Sequence, residues 1–255
     1  MTRTRTAIIV LPIIALLLSG NAAAQKSVML LARGDSAQLA MKPETALRYY
    51  RMAEKADAQN PEVLWRIAKI HTDFAIGAKD DNAGMREVER AIDYARRAVA
   101  AGPGHAMAHA MLAIAYGQKA AFAPNSEKLD LTKLLYEHAK RALELDPSNN
   151  AAMLVLGIWH REMSSLNWAV KLLLKAVYGD TPEASAEESQ RLLARAVELK
   201  PDQIIGHLEL AKTLIELDDE KAAAAQLRKA VALPKRDVHD GRRITEAREL
   251  LRELD

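Results

Sequence analysis

Cysteine is absent from this 255-residue chain, and aromatic residues make up only 4% of it. Without thiols there can be no disulfide, thiolate metal site, thiol nucleophile or redox pair. The same absence suits an oxidising compartment, where a chain without thiols cannot form a wrong disulfide. Strand-favouring aromatics and β-branched runs are thin, while 49% of the residues are hydrophobic, with Ala and Leu dominant. That balance predicts helices packed through small side chains. The length exceeds what one compact core needs, which leaves two domains or an elongated solenoid.

What is present begins with a leader. Arg3 and Arg5 form a positive start, Ala7 to Leu18 is apolar apart from Pro12, and Ala22, Ala23 and Ala24 follow. This is the layout of a secretory signal peptide, residues 1–24, with cleavage expected between Ala24 and Gln25. The apolar run is short for a transmembrane span, which needs about 20 residues, so cleavage is favoured over an uncleaved anchor. No Cys follows the run to take a lipid. The expected location is periplasmic or secreted, with no transmembrane segment in the mature chain. Removing residues 1–24 takes two of the 36 basic residues and none of the 34 acidic ones. A charge balance of zero lacks the basic excess that phosphate backbones demand, so nucleic acid is not an expected partner.

Residues 25–255 repeat. Slots for closely packed residues recur at fixed offsets in pairs of helical segments. In one pair His109, Leu112, Ala113 and Tyr116 are followed by Leu135, Ala139 and Ala142, then Pro147. The next has Met153, Leu156, Gly157 and His160, then Ser189, Leu193, Ala196 and Pro201. Another has His207, Leu210, Ala211 and Leu214, then Ala223, Leu227, Ala230 and Pro234, the proline one residue early. Upstream lie Leu64, Ile67, Ala68 and His71, then Ala91, Ala95, Ala98 and Pro103. The first pair closes clearly on Ala46, Tyr50 and Ala53 but opens poorly on Leu30, Arg33 and Gly34. This spacing is that of the tetratricopeptide repeat, two antiparallel helices in 34 residues. The predicted fold is therefore all-α: a tetratricopeptide-repeat superhelix of about five units, a helical-hairpin solenoid. A charged helix from about Asp237 to Leu254 is expected to cap it.

Between the two helices of a unit the slots normally step nine residues, as from Ala37 to Ala46 and from Leu214 to Ala223. The middle units step 20, 19 and 29. Insertions near 75–87, 121–130 and 164–183 thus enter at the same turn and project from one edge. Residues 78–85 and 123–130 read as polar loops. Residues 166–178 (LNWAVKLLLKAVY) are apolar almost all round. They predict a buried inserted helix, with a lid formed by Trp168, Leu172 and Leu173 as the functional alternative.

The stretch LGIWHREMSSLNWAVKLLLKAVYGDTP at 156–182, LLARAVELKP at 192–201, LAKTLIEL at 210–217 and ALP at 232–234 resemble the regulator of microtubule dynamics family. Trp159, Trp168, Gly179 and Pro182 carry the likeness most specifically, because ordinary tetratricopeptide units lack them. The likeness covers roughly residues 40–254. It implies a helical interaction domain without catalytic residues. Eukaryotic members of that family are associated with microtubules, and relatives act at membrane contact sites where lipid binding has been proposed.

First helices line the inner groove of such a solenoid. The positions predicted to face it are Trp65, Ala110, Leu154 and Leu208, then Lys69, Ile114, Ile158 and Lys212, then Thr72, Gly117, Arg161 and Ile215. Seven are apolar. An apolar groove with a few cations suits a hydrophobic peptide, an amphipathic helix or a lipid with an anionic head. The bland alternative is that the insertion or the chain's own N-terminal helix fills it. His105 and His109 share a helical face, but no third ligand is near, so a metal is not expected. His71, His109, His160 and His207 fall in packing slots. No Ser/His/Asp set, phosphate loop or isolated carboxylate pair stands out. Neither catalysis nor a cofactor is expected. Two readings stay open: a scaffold for a protein partner, and a carrier of lipid or another apolar molecule.

Overall fold

The structure, a computed structural model, describes residues 10–167 and 183–254, with side chains from Gln25 onward. Among the described residues there are eleven helices and no strand. They are α1 Val10–Leu39, α2 Pro43–Ala56, α3 Pro61–Ile76, α4 Asp81–Ala101, α5 Ala106–Phe122 and α6 Asn125–Leu145. There follow α7 Asn150–Ser164, α8 Ala186–Leu199, α9 Ile204–Glu216, α10 Glu220–Ala232 and α11 Asp240–Leu254. The expected inserted helix and its possible lid residues Trp168, Leu172 and Leu173 lie outside the described residues.

Each helix pair meets through the repeat slots. Ala91, Ala95 and Ala98 of α4, Ala139 and Ala142 of α6 and Ala223 and Ala230 of α10 are all fully buried. The first unit proves regular despite its poor opening: a Cβ at Gly34 would lie 2.2 Å from Tyr50 Cε1. Glycine lets α1 close onto the fully buried Tyr50 ring. Gly157 plays the same part against Leu193 in the fourth unit, where a Cβ would lie 2.5 Å from Cγ. The histidines in packing slots are buried, and two make a matching bond. His109 Nε2 donates to the Pro103 carbonyl at 3.1 Å, and His207 Nε2 to that of Pro201 at 2.9 Å. Each ties a first helix to the proline that opens its unit.

Successive units are joined by one recurring four-residue turn. Asp57, Gly102, Asp146 and Lys200 each donate their N–H to an alanine carbonyl four residues back: Ala53, Ala98, Ala142 and Ala196. The residue three positions on then bonds back to the turn's first carbonyl, as in Asn149 N to Asp146 O at 3.0 Å. Asn60, His105 and Asn149 cap the next helix with their side chains. The fifth unit cannot repeat this turn. Four residues after Ala230 stands Pro234, which has no N–H to give. Helix α10 ends at Ala232, and seven residues, 233–239, are needed to reach α11.

The stretches read as polar loops are mostly helical. Helix α4 begins at Asp81, where Asp80 caps Ala83 N, and α6 begins at Asn125. Both helices run 21 residues, against 14 for α2 and α8. Capping and burial decide the difference. Val88, Ala123 and Leu131 are buried in one cluster, with Phe122 packed beside them, so the added turns find an apolar surface of their own. A Cβ at Gly84 would lie 2.8 Å from Phe122 Cζ, which marks how closely the extended α4 approaches the end of α5.

Candidate binding groove

Six of the predicted groove positions carry little accessible surface. Ala110, Leu154 and Leu208 are buried, Ala110 against Ala142 and Ala152 and the two leucines in the large C-terminal core. Ile114 is half-buried in the cluster around α5, and Ile158 is half-buried on α7. Trp65 is occupied: its indole N–H donates to Glu62 at 2.9 Å, and the Arg66 guanidinium lies 4.3 Å over its ring. The expectation of an open apolar channel is therefore corrected. The first helices stand close enough that the residue following each opening slot packs against its neighbour instead of facing solvent.

Charged side chains hold the concave side together, in two networks. The first runs across the C-terminal units. Arg161 of α7, its side chain only 6% exposed, pairs with Glu209 of α9 at 2.7 Å and also donates to the Glu209 carbonyl at 3.2 Å. Lys212 lies 3.2 Å from the other Glu209 oxygen and 2.5 Å from Glu246 of α11. Arg161 and Lys212 were expected here among the few cations of an apolar groove; the structure joins them through a shared carboxylate.

The second network spans the groove. Lys69 of α3 pairs with Asp73 one turn on at 2.8 Å, and its Nζ lies 3.7 Å from Asp237 Oδ2 in the α10–α11 connection. His239 Nε2 lies 3.7 Å from Asp73 Oδ1. On the connection's own side, Asp237 Oδ1 accepts from His239 N at 3.0 Å and from Arg243 Nη1 at 3.0 Å. Asp240 fixes the bend by accepting from the N–H groups of Arg236 and Asp237, both at 2.8 Å. Burial by itself would raise the Asp237 pKa. The charges of Lys69 and Arg243 and the His239 N–H outweigh it and hold the carboxylate below its ordinary range.

Beside this bridge lies a cleft of about 360 Å³. Its apolar wall is Ala75, Ile76, Ala121 and Phe122, its rim Lys79, Asp80 and Asp81, and Arg242 of α11 closes it. Gln118 on its floor donates to the Thr72 carbonyl at 3.3 Å, while its Oε1 is buried without a hydrogen-bond partner. The cleft lies between the start of the lengthened α4 and the end of α5, where the detour after Pro234 brings Arg242 back toward α3. Asp73, Glu209, Asp237, Arg243 and Glu246 were not anticipated as site residues. The one signal for them was the early proline. Among the described residues, no group of three or more His, Asp or Glu could hold a metal ion, and no helix is long and apolar enough to cross a membrane.

Comparison with known proteins gives the same fold and a family. The model described as regulator of microtubule dynamics protein 1-3 matches residues 30–255. The mouse protein named regulator of microtubule dynamics protein 1 is 28% identical over 210 residues, covering 82% of this chain and 69% of its own. The bovine protein of that name is 28% identical over 211 residues, covering 82% and 67%. Among solved structures, a thermophilic TPR protein of Thermus thermophilus superposes with a TM-score of 0.62 at 19% identity. That alignment covers 88% of this chain and 99% of the other.

Proposed function

The chain belongs to the regulator of microtubule dynamics family, and from that premise we propose that it is a non-catalytic scaffold whose concave face binds a protein segment. The observation that carries this reading is the character of that face. Its partly accessible groups are charged side chains in exchangeable pairs, Lys69 with Asp237 and Lys212 with Glu246, each cation being shared with a buried carboxylate, Asp73 or Glu209. Outer pairs of this kind are worth only about 0–1 kcal/mol each, so a partner that supplies equivalent charges can replace them. Among the described residues, the apolar surface beside these pairs is the short wall of the cleft. A lipid carrier needs a deep dry cavity, and the leucines expected to line one are packed.

We infer further that the scaffold acts outside the cytoplasm after loss of residues 1–24. The described burial in α1 includes Ser27, Leu30 and Leu31, so residues after the expected cleavage site take part in packing the first unit. The relatives' names tie them to microtubule dynamics; an exported chain meets no tubulin, and what carries over is the helical interaction domain. Native mass spectrometry of the purified mature protein, with a pull-down in parallel, tests the scaffold. A stable protein partner lost on Lys212→Glu supports it, and a stoichiometric co-purified lipid overturns it. N-terminal sequencing should recover Gln25; an intact Met1 in the membrane fraction refutes export.

A further inference from the structure

We propose that the α10–α11 connection is a built-in stand-in for the partner, and that the partner segment it mimics is acidic with an apolar anchor. This inference rests on the scaffold reading and specifies the chemistry of what the groove accepts.

The other inter-unit turns take four residues and stay at the repeat's edge; this one takes seven and crosses to α3. Its Asp237 carboxylate occupies the position between two cations, Lys69 on one wall and Arg243 on the other. Among the described residues, no hydrogen bond joins the connection to α3. The bridging distances are both 3.7 Å, longer than a hydrogen bond, and His239 Nε2 is buried with no hydrogen-bond partner. A connection so weakly held is displaceable. What it leaves behind is Lys69, still bonded to Asp73 at 2.8 Å but with ammonium donors to spare, beside an apolar cleft.

The spacing of the two fixes the partner's pattern. Lys69 and Ile76 are seven residues apart on α3, about 10 Å along a helix axis. A peptide in the polyproline II conformation covers that in about three residues, one full turn, so the two side chains point the same way. A carboxylate seated at Lys69 therefore puts the third residue beyond it over Ile76 and Phe122. The cleft, at about 360 Å³, has room for a phenylalanine side chain. Binding and closure compete for Lys69, so the connection sets a threshold that only a segment with both features overcomes.

The probe is the fluorescein-labelled peptide Gly-Ser-Asp-Ala-Ala-Phe-Ser-Gly, read by anisotropy against the full mature chain. Asp237→Asn keeps the Oδ1 acceptor for His239 N but removes the competing charge. It should bind the probe at least about ten-fold more tightly than wild type, as expected when a competent state of ten per cent or less becomes the main one. Adding Lys69→Gln should abolish the gain, with the helical circular dichroism unchanged. Probes with Lys for Asp, or Ala for Phe, should bind weakly to every variant. Equal binding of the probe by wild type and Asp237→Asn overturns the proposal, as does equal binding of the Lys probe. If the Lys or Ala probe binds and Lys212→Glu removes it, the mimicry fails while the scaffold stands. If no probe binds any variant, the mimicry fails, and a co-purified lipid in the same preparation would remove the scaffold reading too.

Discussion

The closest helix contact in the fourth unit gives a prediction whose sign depends on its neighbour. A methyl at Gly157 would lie 2.5 Å from Leu193 Cγ and 2.7 Å from Cδ2, about 1 Å inside normal carbon contact. Leu193 is fully buried, so its side chain has nowhere to swing. Overpacking of this kind costs about 1–3 kcal/mol. Alanine is the better helix former by about 1 kcal/mol, so Gly157→Ala should lose up to about 2 kcal/mol net. Truncating Leu193 to Ala costs about 2–5 kcal/mol by itself but opens the space. In that background Gly157→Ala should gain about 1 kcal/mol, because only the propensity term survives. For a chain of this size each kcal/mol moves the melting temperature by about 2–4 °C. Thermal melts followed by circular dichroism on the four variants of this cycle read the coupling directly. If Gly157→Ala has the same effect in both backgrounds, within about 0.5 kcal/mol, the two helices do not meet at this point and the register is wrong.

Arg161→Met should cost about 3 kcal/mol, since it leaves the buried Glu209 with Lys212 alone to pair it among the described residues, and adding Glu209→Leu should recover much of it; equal losses from the single and double variants would refute a shared network. Leu154→Asp should lower stability by about 4 kcal/mol, since it removes a packed leucine and buries a carboxyl; a variant that melts like wild type would return Leu154 to an open groove. Burial lowers the pKa of His71, His138 and His160 below 6.5, against Glu87 in the case of His71. The unfolded chain then binds more protons just below pH 6.5, so this contribution is full above that pH and shrinks as pH falls; a denaturation midpoint constant from pH 7.5 to 5.5 would contradict it. Glu62 is lowered from 4.5 to about 2: burial opposes ionisation, but hydrogen bonds from His105, Arg66 and Trp65 outweigh it. Its contribution is full above about pH 4.5 and is lost as pH falls toward 2, a step that Glu62→Gln should remove from an acid-unfolding curve.

The fold was legible in the chain because a repeat states its packing several times over. Small residues at Ala95, Ala139, Gly157 and Ala230 stand where helices touch, and their spacing alone set the register of each unit. Gly34 looked like a poor slot only because the large side chain it makes room for, Tyr50, lies 16 residues on. The family likeness at Trp159 was also readable, since that ring is buried against Tyr136 at 4.5 Å. Helix lengths were less so: Asp80 and Pro124 look like loop residues until Phe122 and Leu131 are seen to bury the turns they begin. Of the groove, Lys69, Arg161 and Lys212 were legible as its charged positions, but not their partners or the packing of its apolar ones. Whether Leu154 faces a channel or a neighbouring helix depends on the superhelical curvature, a sum of small rotations that no single unit encodes. The meeting of Lys69 with Asp237 joins residues far apart in sequence, and only that curvature brings them together. Pro234 was visible one residue out of place, but what a missing N–H does to the path of the chain is decided by where the rest of the solenoid has already gone.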